Sequence, residues 1–190
     1  MNFIYNIVVN HNLIWTRAQL LAVLVVALIT GCTAFIASRR LKMGFWRALA
    51  LWAMIIYVAV IACATVFFRP VIGGALQLDP FAEWKAIFSG LAGGDPYIVR
   101  LYAVEIIINL FMLVPVGFLA PLAAGRRLNS VVALAVGAVI SLIIEALQYL
   151  TGVGLFQTAD LMHNSLGCVI GCIVGDAVWK HYIFDQRSKF

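Results

Sequence analysis

Residues 130–150 have the sequence SVVALAVGAVISLIIEALQYL, an apolar run that contains one carboxylate, Glu145. About 20 residues of α-helix cross the ~30 Å hydrocarbon core of a bilayer, so this run is long enough to span it. Four other apolar segments are of comparable length: 18–37, 46–68, 101–122 and 159–179. The chain is therefore predicted to be all-α, a polytopic membrane helix bundle with five transmembrane helices.

The overall composition agrees with this prediction. Of 190 residues, 64% are hydrophobic and 11% are charged, and the mean hydropathy is +1.03. A soluble domain has about 25% charged residues and could not bury this much apolar surface in one core. The composition argues against a soluble enzyme, a nucleic-acid-binding module and a disordered regulator. No nucleic-acid partner is predicted, because the net charge of +5 is better explained by membrane topology.

The basic residues are distributed unevenly between the predicted loops. Nine fall on one side of the membrane: Arg39, Arg40, Lys42, Arg47, Arg126, Arg127, Lys180, Arg187 and Lys189. The other four fall on the opposite side: Arg17, Arg69, Lys85 and Arg100. Cytoplasmic loops of membrane proteins are rich in Lys and Arg. This bias predicts an extracytoplasmic N-terminus and a cytoplasmic C-terminus.

Three regions are predicted along the chain. Residues 1–45 form an N-terminal segment and the first transmembrane helix, residues 46–179 form the main membrane domain, and residues 180–190 form a cytoplasmic tail. The first helix is not expected to be a cleaved signal peptide, because no basic region precedes it and a basic cluster follows it. Residues 1–16 are too short and polar to span the membrane, and no role is assigned to them.

The loop between residues 69 and 100 contains one organised segment. Asp79 and Pro80 are predicted to be the N-cap and first position of a short amphipathic helix. Its apolar residues recur at helical spacing, Glu83 and Lys85 are predicted to point elsewhere, and residues 93–96 (GGDP) end it. This helix is either an anchor on the outer membrane surface or a lid over a site below. The apolar residues are Phe81, Trp84, Phe88 and Leu91.

Polar residues inside the predicted spans are the candidates for function, because ionisable groups in hydrocarbon are costly and rare. Spacing of three or four residues places them on one face of each of the last three helices. The predicted topology also places all three faces in the outer half of the membrane. A single polar pocket open to the outside is therefore predicted. Its residues are Glu105 and Asn109, then Ser141, Glu145 and Gln148, and finally Asp160, His163 and Asn164.

Two backbone features predict close packing near that pocket. Pro115 cannot donate a backbone hydrogen bond and is expected to kink the third helix. Gly167, Gly171 and Gly175 recur every four residues in the fifth helix. Such small residues let a neighbouring membrane helix approach closely.

The carboxylates of Glu105, Glu145 and Asp160 are suited to general acid–base chemistry or proton transfer, because like charges at close range raise pKa values. Interhelical hydrogen bonding is the structural alternative. Asp160, His163 and Glu145 could also bind a divalent metal. However, neither HExxH nor GxSxG occurs. Cys32, Cys63, Cys168 and Cys172 form no CxxC pair, and Cys168 and Cys172 are expected to be buried by packing. No metal or cofactor is assigned.

Several of these residues also carry a resemblance to a known family. Residues 109–119 (NLFMLVPVGFL) resemble the "N…F.P.GfL" helix of the VanZ-like family, and Glu145 with Gln148 resembles its "E..Q" helix. Residues 156–171 resemble its "D..D…NtlG…G" segment, and residues 78–81 (LDPF) resemble its "NL.PF" motif. The resemblance covers roughly residues 46–178, and the first helix lies outside it.

The resemblance implies a small multi-pass protein of the bacterial cytoplasmic membrane, linked to lowered susceptibility to teicoplanin, which acts at the outer face of the membrane. By position, the motif residues of the VanZ-like family correspond in this chain to Asn109, Pro115, Gly117, Glu145, Gln148, Asp160, Asn164 and Gly167. Gln157 and Ala159 stand where family members often have acidic residues, so this segment keeps one carboxylate, Asp160.

The sequence hypothesis is a protein that acts on or binds a cell-envelope component, either a membrane lipid or a cell-wall precursor, at the outer leaflet. Glu145 and Asp160 are the predicted catalytic pair. The residues predicted to bind the substrate are Asn109, Gln148, His163, Asn164, Glu105 and Ser141. The alternative is a non-enzymatic scaffold or a small proton-coupled transporter, although transporters usually show internal repeats and a mid-membrane site.

Overall fold

The computed structural model describes residues 16–40 and 43–187, with side chains described up to residue 181. Residues 1–15, to which no role was assigned, lie outside these ranges, as do the basic residues Lys42 and Lys189. The helices are α1 (Arg17–Arg40), α2 (Phe45–Ala62, extended by a π-helical turn, Cys63–Phe67), α3 (Ala82–Gly93), α4 (Pro96–Met112), α5 (Val114–Ala124), α6 (Ser130–Thr151) and α7 (Thr158–Arg187).

Five helical segments are long and apolar enough to cross a membrane, which confirms the predicted helix bundle. They are Arg17–Arg40, Phe45–Phe67, Pro96–Ala124, Ser130–Thr151 and Thr158–His181. Their outward faces are covered with apolar side chains such as Leu28, Ile143 and Ile173, more than half of whose surfaces are exposed. A soluble protein could not expose so continuous an apolar surface, whereas lipid chains cover it without cost.

The third span is broken at Leu113, as expected from Pro115. Leu113 leaves helical geometry, with φ −103° and ψ 5°, and α5 then begins with Pro115 in its first turn. Proline is tolerated there because first-turn N–H groups have no helical acceptor. The helix break therefore divides this span into α4, on the side of α3, and α5, on the opposite side.

Helix α7 is at the centre of the bundle and contacts α4, α5 and α6. Its predicted glycine face packs directly on backbone. A Cβ atom on Gly167 would lie 1.8 Å from the Leu110 carbonyl oxygen, and one on Gly171 would lie 2.0 Å from that of Val114. The small residues thus permit a close approach between α7 and the third span, as the spacing predicted. By contrast, α1 packs mainly along α2, and none of its described apolar residues is buried.

One end of the bundle carries extra structure, and we call it the α3 end. Two short strands, β1 (Leu76–Gln77) and β2 (Phe156–Gln157), pair in parallel there, with Leu76 opposite Phe156. They join the loop before α3 to the loop before α7. This pairing was not predicted, since neither loop shows a strand pattern long enough to detect.

Helix α3 differs from its prediction in two ways. It begins at Ala82, and Phe81 occupies the N-cap position without a side-chain hydrogen bond. Asp79 instead accepts from the Phe81 backbone N–H at 3.1 Å and from Lys85 Nζ at 2.6 Å. The predicted end is confirmed, because Gly94 closes the helix with a left-handed φ of 68°.

The second difference concerns the orientation of α3. Its predicted apolar residues, including Phe81 and Phe88, are exposed, whereas Glu83 is 1% exposed. The helical spacing correctly separated Glu83 from the apolar residues, but it did not predict that Glu83 is buried against the protein. In water an amphipathic helix turns its apolar face inward, but beside lipid the apolar face turns outward and the polar residue faces the protein.

Candidate functional site

A cavity of about 460 Å³ lies between α2, α4 and α6 at the α3 end. Its apolar lining consists of Tyr57, Val60, Ile61, Ala64, Ile108, Phe111, Met112, Ile144 and Leu155. Its polar lining consists of Thr65, Arg69, Glu105, Asn109, Glu145, Gln148, Gln157 and Asp160. Phe111 is 63% exposed, so the cavity reaches the lipid-facing surface of the bundle. We call this space the α2–α4–α6 cavity.

Five of the eight predicted site residues line this cavity: Glu105, Asn109, Glu145, Gln148 and Asp160. They come from α4, α6 and α7, so three separate segments do meet at one level of the bundle. Arg69 and Gln157 complete the polar lining but were not selected from the sequence. In the sequence, Arg69 was used only in the count of basic residues on each side of the membrane. Because it lies in a loop, no helical periodicity indicates where its side chain points.

The polar groups of the cavity are held by specific hydrogen bonds. Glu145 is buried, and its Oε2 accepts the Gln157 backbone N–H at 2.8 Å. Asn109 Nδ2 donates to Asp160 Oδ1, which joins α4 to α7. These bonds fix the side chains before any ligand arrives, which is the condition for a preorganised binding or catalytic site.

Gln148 has a structural partner. Its Nε2 donates to the Thr65 carbonyl oxygen at 3.0 Å. Thr65 lies in the π-helical turn Cys63–Phe67 at the end of α2, where carbonyl groups lack helical partners. Gln148 thus links α6 to α2 and sets the width of the cavity between them.

The remaining three predicted residues lie outside the cavity lining. Ser141 and Asn164 are both fully buried, and Asn164 Nδ2 donates to Ser141 Oγ at 2.9 Å between α6 and α7. This pair is an interhelical hydrogen bond, the structural alternative considered above. Its position away from the cavity lining argues against direct contact with a ligand there.

His163 belongs to a second group of residues, beneath α3. Its Nε2 accepts the Trp84 indole N–H at 3.3 Å, and its Nδ1 lies 3.3 Å from Glu83 Oε2. Because an indole N–H can only donate, the Nε2 atom is the acceptor and the proton of a neutral imidazole resides on Nδ1. Helix α3 therefore covers this part of the bundle, as a lid would.

Glu83 connects the two groups. Burial raises its pKa to about 8, and the negative charges of Asp160, Glu105 and Glu145 add to this effect. Glu83 and Asp160 lie close together, with one oxygen of each within 4.8 Å of the other. A protonated Glu83 can donate to Asp160, whereas two ionised carboxylates have no hydrogen to share. Glu83 was not selected from the sequence, because helical spacing separates it from the apolar residues of α3 without showing that its face meets the bundle.

Fold and site together define a polytopic α-helical membrane protein with a preorganised, carboxylate-rich cavity at one end. The family model described as VanZ/LLP1 matches residues 45–178, more than two thirds of the chain. The chain therefore belongs to the VanZ-like family, as the sequence motifs predicted. No curated protein and no solved structure matches it.

Proposed function

We propose that this protein binds a lipid-linked or lipid-like component of the bacterial cell envelope in the α2–α4–α6 cavity. The observation that carries the proposal is that one cavity has both an apolar and a polar, charged lining. An amphiphile matches that combination, because its hydrocarbon part can contact Val60 and Ile108 while its head group meets Arg69, Asn109 and the carboxylates. The exposed Phe111 at the lining supports entry from the lipid.

The proposed orientation places the α3 end outside the cell. It rests on the excess of Lys and Arg in the loops at the opposite end. In this orientation the ligand enters from the outer leaflet, where a membrane lipid or cell-wall precursor is available. Membership of the VanZ-like family supports an effect on teicoplanin susceptibility, which we include in the proposal.

If the bound component is chemically changed, Glu145 is the proposed acid or base and Asp160 its partner. Two carboxyl groups that hold one proton between them can act together, one giving a proton while the other accepts one. Asn109 orients Asp160, and the Gln157 N–H orients Glu145.

Binding is tested by narrowing the cavity. Ile108 lines it, whereas the adjacent Ile107 is 52% exposed to lipid, so Ile108→Phe and Ile107→Phe make a matched pair. Both proteins are isolated with surrounding membrane in polymer nanodiscs, and co-purified lipids and cell-wall precursors are quantified by mass spectrometry. The proposal expects one species enriched with the wild type and Ile107→Phe and depleted with Ile108→Phe. Equal recovery with both variants would refute it.

The cellular effect is tested with Glu145→Gln, which removes the charge while its amide oxygen can still accept from Gln157. Asp79→Asn is the control, since it makes the same chemical change at the α3 end outside the cavity. At matched protein levels, cells with Glu145→Gln are expected to be as susceptible to teicoplanin as cells lacking the protein. Undiminished protection would exclude a role for this carboxylate.

A pure scaffold would also tolerate Asp160→Asn, so loss of protection in that variant, if it folds, argues against a scaffold.

A further inference from the structure

The side chains beneath α3 form a group that the proposed function does not use. Glu83 is 1% exposed and His163 is 3% exposed. Among the described residues, neither carboxylate oxygen of Glu83 has a hydrogen-bond donor, and His163 Nδ1 has no acceptor in hydrogen-bond geometry. Buried polar atoms are normally satisfied, so unpartnered atoms from two converging side chains indicate a missing ligand.

The charge of this group indicates what the ligand is. No Lys or Arg of the described residues forms an ion pair with Glu83 or Asp160. A buried carboxylate is costly unless it is paired or bound to a metal. A divalent cation would supply the absent positive charge for two carboxylates at once.

The geometry also fits a metal ion. One atom each from Glu83, Asp160 and His163 lies within 4.8 Å of the other two, and His163 Nδ1 and Glu83 Oε2 are 3.3 Å apart. Two ligands bound at about 2.1 Å in tetrahedral geometry are separated by roughly 3.4 Å. We propose that Glu83, Asp160 and His163 Nδ1 bind a divalent transition-metal ion such as Zn²⁺ between α3 and α7.

The ligand set differs from the one considered on sequence grounds, which contained Glu145. One oxygen of Glu145 is held by the Gln157 N–H, and Glu145 is not part of the converging group. Glu83 takes its place because α3 turns its polar side inward. The donor set of two oxygens and one nitrogen suits Zn²⁺, Mn²⁺ or Fe²⁺ better than Ca²⁺ or Mg²⁺, which favour oxygen alone.

The site would be coupled to the cavity through Asp160, which lines the cavity and is held by Asn109. Three protein ligands leave at least one coordination position for water or a ligand atom, as in catalytic zinc sites. Metal binding would also attach α3 to α7. This inference stands apart from the proposed lipid ligand, since the metal can bind whether or not the cavity holds an amphiphile.

Trp84 gives the proposal a distinctive consequence. When Nδ1 binds a metal, the imidazole proton must reside on Nε2, and Nε2 can then no longer accept the indole N–H. Metal binding thus breaks the Trp84–His163 hydrogen bond. Trp84→Phe removes that competing bond and is expected to bind metal roughly two- to tenfold more tightly.

The test uses the full chain in detergent or nanodiscs, with its affinity tag removed and metals stripped by chelator. Zn²⁺ is titrated by calorimetry into the wild type, Glu83→Gln, Asp160→Asn and Glu145→Gln, and circular dichroism checks that each is folded. We expect one Zn²⁺ per wild-type chain. Glu83→Gln and Asp160→Asn should each bind Zn²⁺ more than about tenfold more weakly, because loss of residues that only support the metal ligands already weakens binding about 10- to 100-fold. Glu145→Gln is expected to bind like the wild type.

Three results would overturn the proposal. The first is wild-type binding no tighter than that of a folded Glu83→Gln protein. The second is loss of binding in Glu145→Gln with retention in Glu83→Gln, which would transfer the site to the cavity. The third is weaker binding by Trp84→Phe, which would contradict the assignment of Nδ1 as the ligand atom. The lipid-recovery experiment with Ile108→Phe does not depend on these outcomes.

Discussion

Replacing Gly167 with alanine tests whether the glycine face of α7 holds the cavity together. The new Cβ atom would start 1.8 Å from the Leu110 carbonyl oxygen, whereas real Cβ contacts are essentially never under 3.0 Å. Helices α4 and α7 must therefore separate by more than an ångström. The obstacle is backbone, so no side-chain rotation can relieve it.

The expected destabilisation follows from two opposing effects. Overpacking a close interface typically costs about 1–3 kcal/mol or more. The better helix propensity of alanine returns up to about 1 kcal/mol. The net loss should therefore lower the melting temperature by several degrees, since 1 kcal/mol corresponds to roughly 2–4 °C for a chain of this size.

The same separation should affect the site, because the Asn109–Asp160 hydrogen bond spans α4 and α7. Less lipid or cell-wall precursor should therefore co-purify with Gly167→Ala, and cells that carry it should be less protected against teicoplanin, although the substitution adds no atom to the cavity. Gly93→Ala is the matched control, because a Cβ atom there meets nothing within 4 Å. Thermal unfolding in detergent, followed by circular dichroism, gives the stability of each variant. A melting temperature for Gly167→Ala equal to that of Gly93→Ala would refute the close-packed arrangement.

Two further outcomes are expected. Ser141→Ala leaves the buried Asn164 amide without its partner and should cost about 1–3 kcal/mol of unfolding free energy. Combining Ser141→Ala with Asn164→Leu removes both polar groups and should recover most of that loss. If thermal unfolding shows no recovery in the double variant, the pairing is contradicted. The orientation is tested in a chain without native cysteines, with a membrane-impermeant maleimide. Gly93→Cys should react in intact cells, whereas Arg126→Cys should react only after the cells are permeabilised. The reverse pattern would contradict the proposed orientation.

Much of the candidate site was predictable because helical periodicity is strict. Residues three or four apart share a face whatever the surroundings, so Glu105 with Asn109 and Glu145 with Gln148 were correctly grouped. The length of the apolar runs then placed these faces near one end of their helices. In the structure, five of the predicted residues line one cavity.

The grouping of all eight residues into one pocket was too simple. Ser141 and Asn164 bond to each other, and His163 faces α3. Periodicity assigns a residue to a face of its own helix, but it does not say which neighbouring helix that face meets. That depends on helix rotation and crossing, which are set by packing such as that of the α7 glycines.

The sequence by itself determined the membrane-spanning bundle, the break at Pro115 and the polar level shared by α4, α6 and α7, because each follows from local chain chemistry and length. Only the tertiary structure decided that Glu83 faces inward, that β1 pairs with β2, and that Arg69 and Gln157 complete the cavity. These features depend on contacts between distant segments and on which side of α3 meets lipid. A hydrophobic pattern identifies the two faces of a helix, but its surroundings decide which of them turns toward the protein.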